Sequence, residues 1–411
     1  MTLKVCLTTL EYPPDVGGVG ESVQRIAKML SALGYEVHVA VFHSKLRKVG
    51  GVVQPSVGSN TEQYSGIWVH RIMPPVRSSA PIVQDFLSDI YAQMKRLHNQ
   101  YQFDLFHSFF ISETGFLTTL LAKEQGVPVI SSIRGSDLHK HIFGAKLHSQ
   151  LIWTLENSDW TTYVSQDLQT RAQVLTPAVT HRSSVFWNSI VPIDFTELPT
   201  PALTEQLRGV VIGSVGRFRD KKGIEYLLEA CRSLQDKLEF TLLFVGDYAL
   251  REKDYWLQQM EASGLGDRLV VTGLVDHDTA LSYLPHLDIF AIPSLHDGCP
   301  NAMLEAMLAQ RAIIGTTVDA IGDILDHGID GLLVPPMDAE RLAEAILQLA
   351  QSPELRQILG QAAYQKVTQQ LAPAVEQRNW QQVYERVLNP SILDQPCNGV
   401  VPSIRDFECV S

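Results

Sequence analysis

Nothing in this chain reads as a membrane span, because no run of about 18 apolar residues occurs in it. Cysteine is sparse and unpaired. Cys6, Cys231, Cys299, Cys397 and Cys409 are odd in number and show no CxxC spacing, which gives no metal-site signal and suits a reducing cytoplasm. A basic excess is missing as well. The formal net charge is −12, whereas a nucleic-acid binder must set a basic face against phosphate, so nucleic acid is not an expected partner. The opening residues, MTLKVCLTTLEYPP, carry one lysine and a short β-rich apolar run broken by acid and proline, the pattern of a first strand and not of a signal peptide. A cytoplasmic protein is expected, with peripheral contact at the inner face of a membrane left open.

What the chain does have is apolar mass in a regular rhythm. With 411 residues, 45% of them hydrophobic, it can bury two cores, and two domains are the expectation. Strand-like runs lie at 3–9, 35–42, 67–72, 103–110, 127–133, 159–165 and 183–188, with helical patterns between most of them. The rhythm lapses across the prolines near 190–209 and restarts with runs at 210–216, 239–246, 268–273, 287–293, 311–316 and 330–335. Helices are expected at 338–351, 353–369 and 372–388. Apolar strands alternating with helices predict parallel sheets covered on both faces. The expected division is a first domain at 1–190, a linker at 191–208, a second domain at 209–370, a helix at 371–388 crossing back to the first domain, and a poorly ordered tail at 389–411. Ligands of such folds bind beyond the carboxyl ends of the strands, so motifs just after strands carry the most weight.

Five stretches qualify. PPDVGGVGES (13–22) puts Gly17 and Gly18 between a strand and a helix, where free N–H groups meet anions. Its spacing is not GxGxxG, so a dinucleotide loop fits poorly; a plain turn is the alternative. VGRFRDKKG (215–223) concentrates Arg217, Arg219, Lys221 and Lys222 after a strand. Guanidinium forks and compact ammonium charges together neutralise a diphosphate; Arg217 and Lys222 are the inward-facing choice, with Arg219 and Lys221 exposed. His107, in FDLFHSFF, is either a hydrogen-bonded core residue or a site residue. SIRGSDLH places Arg134, Ser136 and Asp137 after a strand, with an Asp-capped turn as the alternative. In SLHDGCPNAMLEAML (294–308), Pro300 suits a first helical position, Asp297 precedes it near the helix dipole, and Asn301 and Glu305 share a face. Free helix N–H groups flanked by two acids would suit a ligand with a phosphate and several hydroxyls; a cap with a surface Glu is the alternative.

The run from GSVGRFRDKKG through FAIPSLHDGCPNAMLEAM to DGLLVPP, with EYPPDVGGVGES, DLFHS and RGSD in the first half, resembles glycosyltransferase family 4 (group 1), over about residues 3–350. These are retaining GT-B enzymes that use nucleotide-sugar donors. The resemblance implies an α/β fold of two Rossmann-like, doubly wound domains facing a cleft. It implies an acceptor-binding first domain and a donor-binding second one. Arg217 and Lys222 match the basic pair on the donor diphosphate, which does the work of a metal, so neither metal nor resident cofactor is expected. Asp297 and Glu305 match the two acids of the E-x7-E motif, near the donor sugar and on the ribose hydroxyls. Gly17, Gly18, Gly273, Val275, Gly298, Cys299, Pro300 and Asn301 complete the implied donor set. His107 matches the cleft histidine and Asp137 the acid of H-G-x-D; Arg134 and Ser136 fall on the acceptor side. The implied partners are a UDP-, GDP- or ADP-sugar and a glycan, lipid-linked or small-molecule acceptor. Asp297 is one methylene shorter than the usual Glu, Arg134 replaces the usual His, FVGDY lacks the second glycine of G-x-G, and Asn188 and Asp194 are spread apart within NSIVPIDF. A sugar-nucleotide epimerase, a phosphorylase and a non-catalytic nucleotide binder are the rivals; no convincing lysine for pyridoxal phosphate supports the phosphorylase.

Overall fold

In the computed structural model, residues 2–15, 18–42, 48–49, 52–53, 60–73, 86–248 and 252–389 are described. The first half carries strands β1 (Lys4–Thr9), β2 (Glu36–Phe42), β3 (Lys48–Val49), β4 (Val52–Val53), β5 (Asn60–Tyr64), β6 (Ile67–Ile72), β7 (Leu105–Phe109), β8 (Val129–Ile133), β9 (Trp160–Tyr163) and β10 (Ser183–Val185). Helices α1 (Gly18–Ala32), α2 (Phe86–Tyr101), α3 (Glu113–Gln125), α4 (Ser136–His139), α5 (Ala145–Asn157) and α6 (Gln166–Leu175) lie among them. The second half carries β11 (Val210–Val215), β12 (Phe240–Val245), β13 (Leu269–Val271), β14 (Ile289–Ile292), β15 (Ala312–Thr316) and β16 (Leu332–Val334). Its helices are α7 (Ile224–Ser233), α8 (Lys253–Ala262), α9 (His277–Ser282), α10 (Asn301–Leu308), α11 (Asp319–Ile324), α12 (Ala339–Gln351), α13 (Pro353–Gln370) and α14 (Pro373–Leu388).

Two sheets result, ordered β10-β9-β8-β7-β1-β2-β6-β5 and β13-β12-β11-β14-β15-β16. Within these two sheets every pairing among the described residues is parallel except β5 on β6. Central strands such as FTLLFV of β12 are buried at every position, as they must be when helices cover both faces. On the first sheet, Val23, Ile26 and Leu30 of α1 join one core, and Ile90 of α2 and Leu121 of α3 join the opposite one. On the second, Leu227 of α7 and Ile346 of α12 lie on one face, Leu304 of α10 and Val367 of α13 on the other. The fold is therefore the expected α/β arrangement of two Rossmann-like sheets.

The antiparallel edge strand β5, reading NTEQY, and the β3–β4 hairpin were not anticipated. Residues 186–209 hold no strand and a single 3-10 turn, Thr204–Gln206. The last helix, α14, returns to the first sheet, where Trp380 and Tyr384 are fully buried beside Phe186 and α1. Arg25 of α1 donates to Glu376 of α14 at 2.8 Å, and the Ser189 N–H donates to the same carboxylate at 2.9 Å. The expected loose tail lies outside the described residues, apart from Asn389. Among the described residues no helix is long and apolar enough to cross a membrane.

Candidate active site

The loops after β11 and β14 in the second sheet meet the loops after β1 and β8 in the first, so the carboxyl ends of both sheets border one cleft. The two sides touch. A Cβ at Gly298 would fall 2.3 Å from the carbonyl oxygen of Arg134, an approach open only to glycine. Asn188 Nδ2 donates to Asn301 Oδ1 at 3.4 Å, and Asn301 Nδ2 in turn donates to Glu21 Oε2 of α1 at 3.4 Å.

On the second-domain side, a 3-10 turn at Asp220–Lys222 ends in Gly223, with φ of +61°. A Cβ there would lie 2.1 Å from the Pro293 carbonyl oxygen, so glycine lets this turn press against the β14 loop. Lys222 is thereby placed beside Asp297: its Nζ donates to Asp297 Oδ2 at 2.5 Å. Ser294 Oγ donates to the same oxygen at 3.4 Å, and the Asp297 N–H donates to Asp319 Oδ2 at 2.8 Å. Burial alone would raise the Asp297 pKa, but the positive charges of Lys222 and Lys221 outweigh it and hold the carboxyl below its ordinary value. A small cavity next to this pair is lined by Arg217, Phe218, Lys222, Pro293 and Ser294 among others. The expected division among the four cations is met only in part. Arg219 and Lys221 are exposed, but so is Arg217, and Lys222 alone is half drawn in.

Helix α10 starts at Asn301 with Pro300 as its cap, one residue later than expected. Glu305 is not a surface acid: it is 8% exposed in an otherwise apolar stretch. Its Oε1 lies 3.0 Å from Nε2 of His277, whose side chain is 65% exposed. The hydrogen bond to Glu305 raises the His277 pKa above its ordinary value against a lowering by burial. Sequence reasoning missed His277, although it follows the β13 strand end closely, in the same loop as Gly273 (φ +71°) and the partly buried Val275. Cys299 is partly buried at the domain contact.

The first domain departs further from expectation. Gly18 opens α1 with free space around it; Gly17 lies outside the described residues. His107 does not face the cleft. It is fully buried on β7, with Nδ1 2.8 Å from the Tyr384 hydroxyl and Nε2 2.7 Å from Ser132 Oγ. Burial drives its pKa well below the ordinary value. Its surroundings are those of the hydrogen-bonded core residue, the first of the two alternatives. Asp137 is buried as well, with Oδ1 accepting the Ile111 N–H at 3.1 Å and Oδ2 without a hydrogen-bond partner among the described residues. Burial pushes its pKa up to about 7. Arg134 donates to Asn188 Oδ1 at 2.6 Å, which ties it to the domain contact through Asn188; burial lowers its pKa to about 10. Ser136 is exposed at the start of α4. Asp194 caps its own turn through Thr196 at 2.9 Å and takes no part in the cleft.

Comparison with known proteins agrees with this architecture. Residues 209–352 match the family described as Glycosyl transferases group 1, and residues 16–190 match Glycosyltransferase Family 4. The N-acetyl-alpha-D-glucosaminyl L-malate synthase of Bacillus anthracis is 23% identical, over 94% of this chain and 98% of its own length. Sucrose-phosphate synthase from Thermosynechococcus elongatus superposes with a TM-score of 0.76 at 18% identity, covering 94% of this chain and all of that one (100%). Anabaena HepE in complex with UDP-glucose superposes with a TM-score of 0.70 at 16% identity, covering 93% of this chain and 99% of that one. With the two matched stretches spanning most of the chain on two Rossmann-like sheets, this protein belongs to the GT-B glycosyltransferases of family 4, group 1.

Proposed function

We propose that the enzyme moves a sugar from a nucleotide-diphosphate sugar to an acceptor hydroxyl with retention at the anomeric carbon. The observation that carries this is the meeting of Lys222 and Asp297 at the strand ends of the second sheet, beside a cavity and one helical start away from the buried Glu305. Lys222, with Arg217 at the cavity wall, neutralises the departing diphosphate, so that no resident metal is required. The N-terminal N–H groups of α10 point to the same anion. Glu305 accepts the ribose hydroxyls through the oxygen that His277 does not hold, and Asp297 faces the donor sugar.

The first domain supplies the acceptor side, with Ser136 exposed at its edge. The acceptor hydroxyl attacks from the face that the leaving diphosphate vacates, and its proton passes to that diphosphate. Closure of the two sheets excludes water that would otherwise hydrolyse the donor. A nucleotide donor is supported by the UDP-glucose held by HepE, a protein of the same fold.

A donor screen tests the proposal. UDP-, GDP- and ADP-sugars are incubated with candidate glycan, lipid-linked and small-molecule acceptors, release of nucleoside diphosphate is followed, and the anomeric configuration of the product is read by NMR. One base should release diphosphate in an acceptor-dependent way, with the donor's configuration kept. Nucleotide binding without turnover of any donor overturns the proposal, and an inverted product overturns the retention.

A further inference from the structure

Two imidazoles and a carboxylate converge from both domains beside the proposed donor clamp. His139 closes α4 of the first domain, while His296 precedes Asp297 and Asp319 begins α11 of the second. One ligand atom from each lies within 4.8 Å of the other two. His139 Nε2 is 2.9 Å from Asp319 Oδ1, and the rings of His139 and His296 stack with centroids 4.7 Å apart. The proposed transfer uses none of these three side chains.

We propose that His139, His296 and Asp319 form a binding site for one divalent transition-metal ion of the zinc class, bridging the two domains. Two imidazoles with one carboxylate is a donor set suited to zinc, and three protein ligands leave a position for water. The carboxylate is already oriented from behind, since its Oδ2 accepts the Asp297 N–H at 2.8 Å; such support is what holds a ligand in place. Asp319 is buried, His139 partly buried and His296 exposed, so an ion enters from the His296 side. Ligand bonds of about 2.0–2.1 Å in a tetrahedron set ligand atoms about 3.4 Å apart, and the exposed His296 ring is free to close the difference. The metal takes a neutral imidazole, with its ring proton on the nitrogen that does not ligate, and an ionised carboxylate.

The ligands lie on opposite sides of the cleft, so the complete site exists only in the closed arrangement. A bound ion therefore favours closure by its differential affinity for that state. This site is independent of the donor assignment: it is read out by metal binding alone.

The test is calorimetric titration of ZnCl2 into metal-stripped full-length protein at neutral pH. One equivalent should bind with a Kd on the order of micromolar or tighter, and Co2+ should bind in its place with visible d–d absorption and no intense thiolate band. His296→Ala alters an exposed ring, so folding is not at stake, and should weaken binding by about tenfold or more; His139→Gln should do the same. His286→Ala, at an exposed histidine outside the cluster, should leave the Kd unchanged. Absence of stoichiometric binding, a thiolate band, or an unaltered Kd in His296→Ala overturns the proposal.

Discussion

Lys222 and Asp297, 75 residues apart in sequence, share one hydrogen bond of 2.5 Å between the ends of adjacent parallel strands. The pair sets a cation and an acid in one small space, and a donor diphosphate must compete for the cation. Lys222→Ala should lower turnover by about 10²–10³-fold, the loss that follows removal of one preorganised donor to a developing oxyanion, roughly 2.7–4 kcal/mol. Steady-state kinetics with the donor identified by the screen checks it. Turnover near wild type would remove Lys222 from the diphosphate.

Glu305→Gln should weaken nucleoside diphosphate binding by about tenfold, equivalent to ~1.4 kcal/mol, because an amide accepts hydroxyl hydrogen bonds less strongly than a carboxylate. Calorimetry with the free nucleotide measures this without an acceptor. The same substitution should bring the raised His277 pKa back down, since the bond to Glu305 is its main cause; an NMR titration of the His277 ring reads that shift. Unchanged nucleotide affinity would leave Glu305 as no more than the partner of His277.

The Asp137 carboxyl should make the protein less stable as pH rises. Its folded-state pKa of about 7 lies above the unfolded value of about 3.9. The folded state therefore holds a proton that the unfolded state has released, and stability is fully present below about pH 4 and lost as pH climbs toward 7. Asp137→Asn keeps an acceptor for the Ile111 N–H and removes the titration. Urea unfolding at several pH values should show a flatter profile in the variant between about 4 and 7, with a gain on the order of a few kcal/mol above pH 7. Parallel profiles for the two proteins would contradict the assignment.

His107→Phe should be a stability variant and not an affinity variant. It strips the buried Tyr384 hydroxyl of its partner, left unsatisfied at about 1–3 kcal/mol, while Ser132 Oγ loses one bond and keeps the other, to Thr162 Oγ1 at 2.6 Å. Denaturant unfolding should report that loss while nucleotide affinity stays at the wild-type value. Weakened nucleotide binding in a fully folded variant would return His107 to the cleft.

The parts of this molecule visible in its sequence are those with a local cause. FTLLFV of β12 is buried throughout and reads as a strand because nothing in it tolerates water; NTEQY of β5 is polar, sits at a sheet edge and reads as loop. Glu305 stood out because a carboxylate in an apolar helix needs a reason. His107 could not be resolved, since large apolar neighbours accompany a core histidine and a site histidine alike; its partner Tyr384 comes from the other end of the chain. His277–Glu305 and His139–Asp319 join residues 28 and 180 positions apart, and no pattern at short range encodes a contact made by closing one sheet on another. The tightness at Gly298 against Arg134 is of the same kind.

The return of α14 to the first sheet sets a schedule for the ribosome. Residues 4–185 complete their strands early, yet the face of that sheet covered by Trp380 and Tyr384 stays bare until the last helix emerges. With roughly 200 residues still to be made at about 5–20 per second, that interval is on the order of 10–40 s. The second domain is itself made during that interval, its cores closing only with α13, so the first domain is the half that waits longest with part of its sheet uncovered.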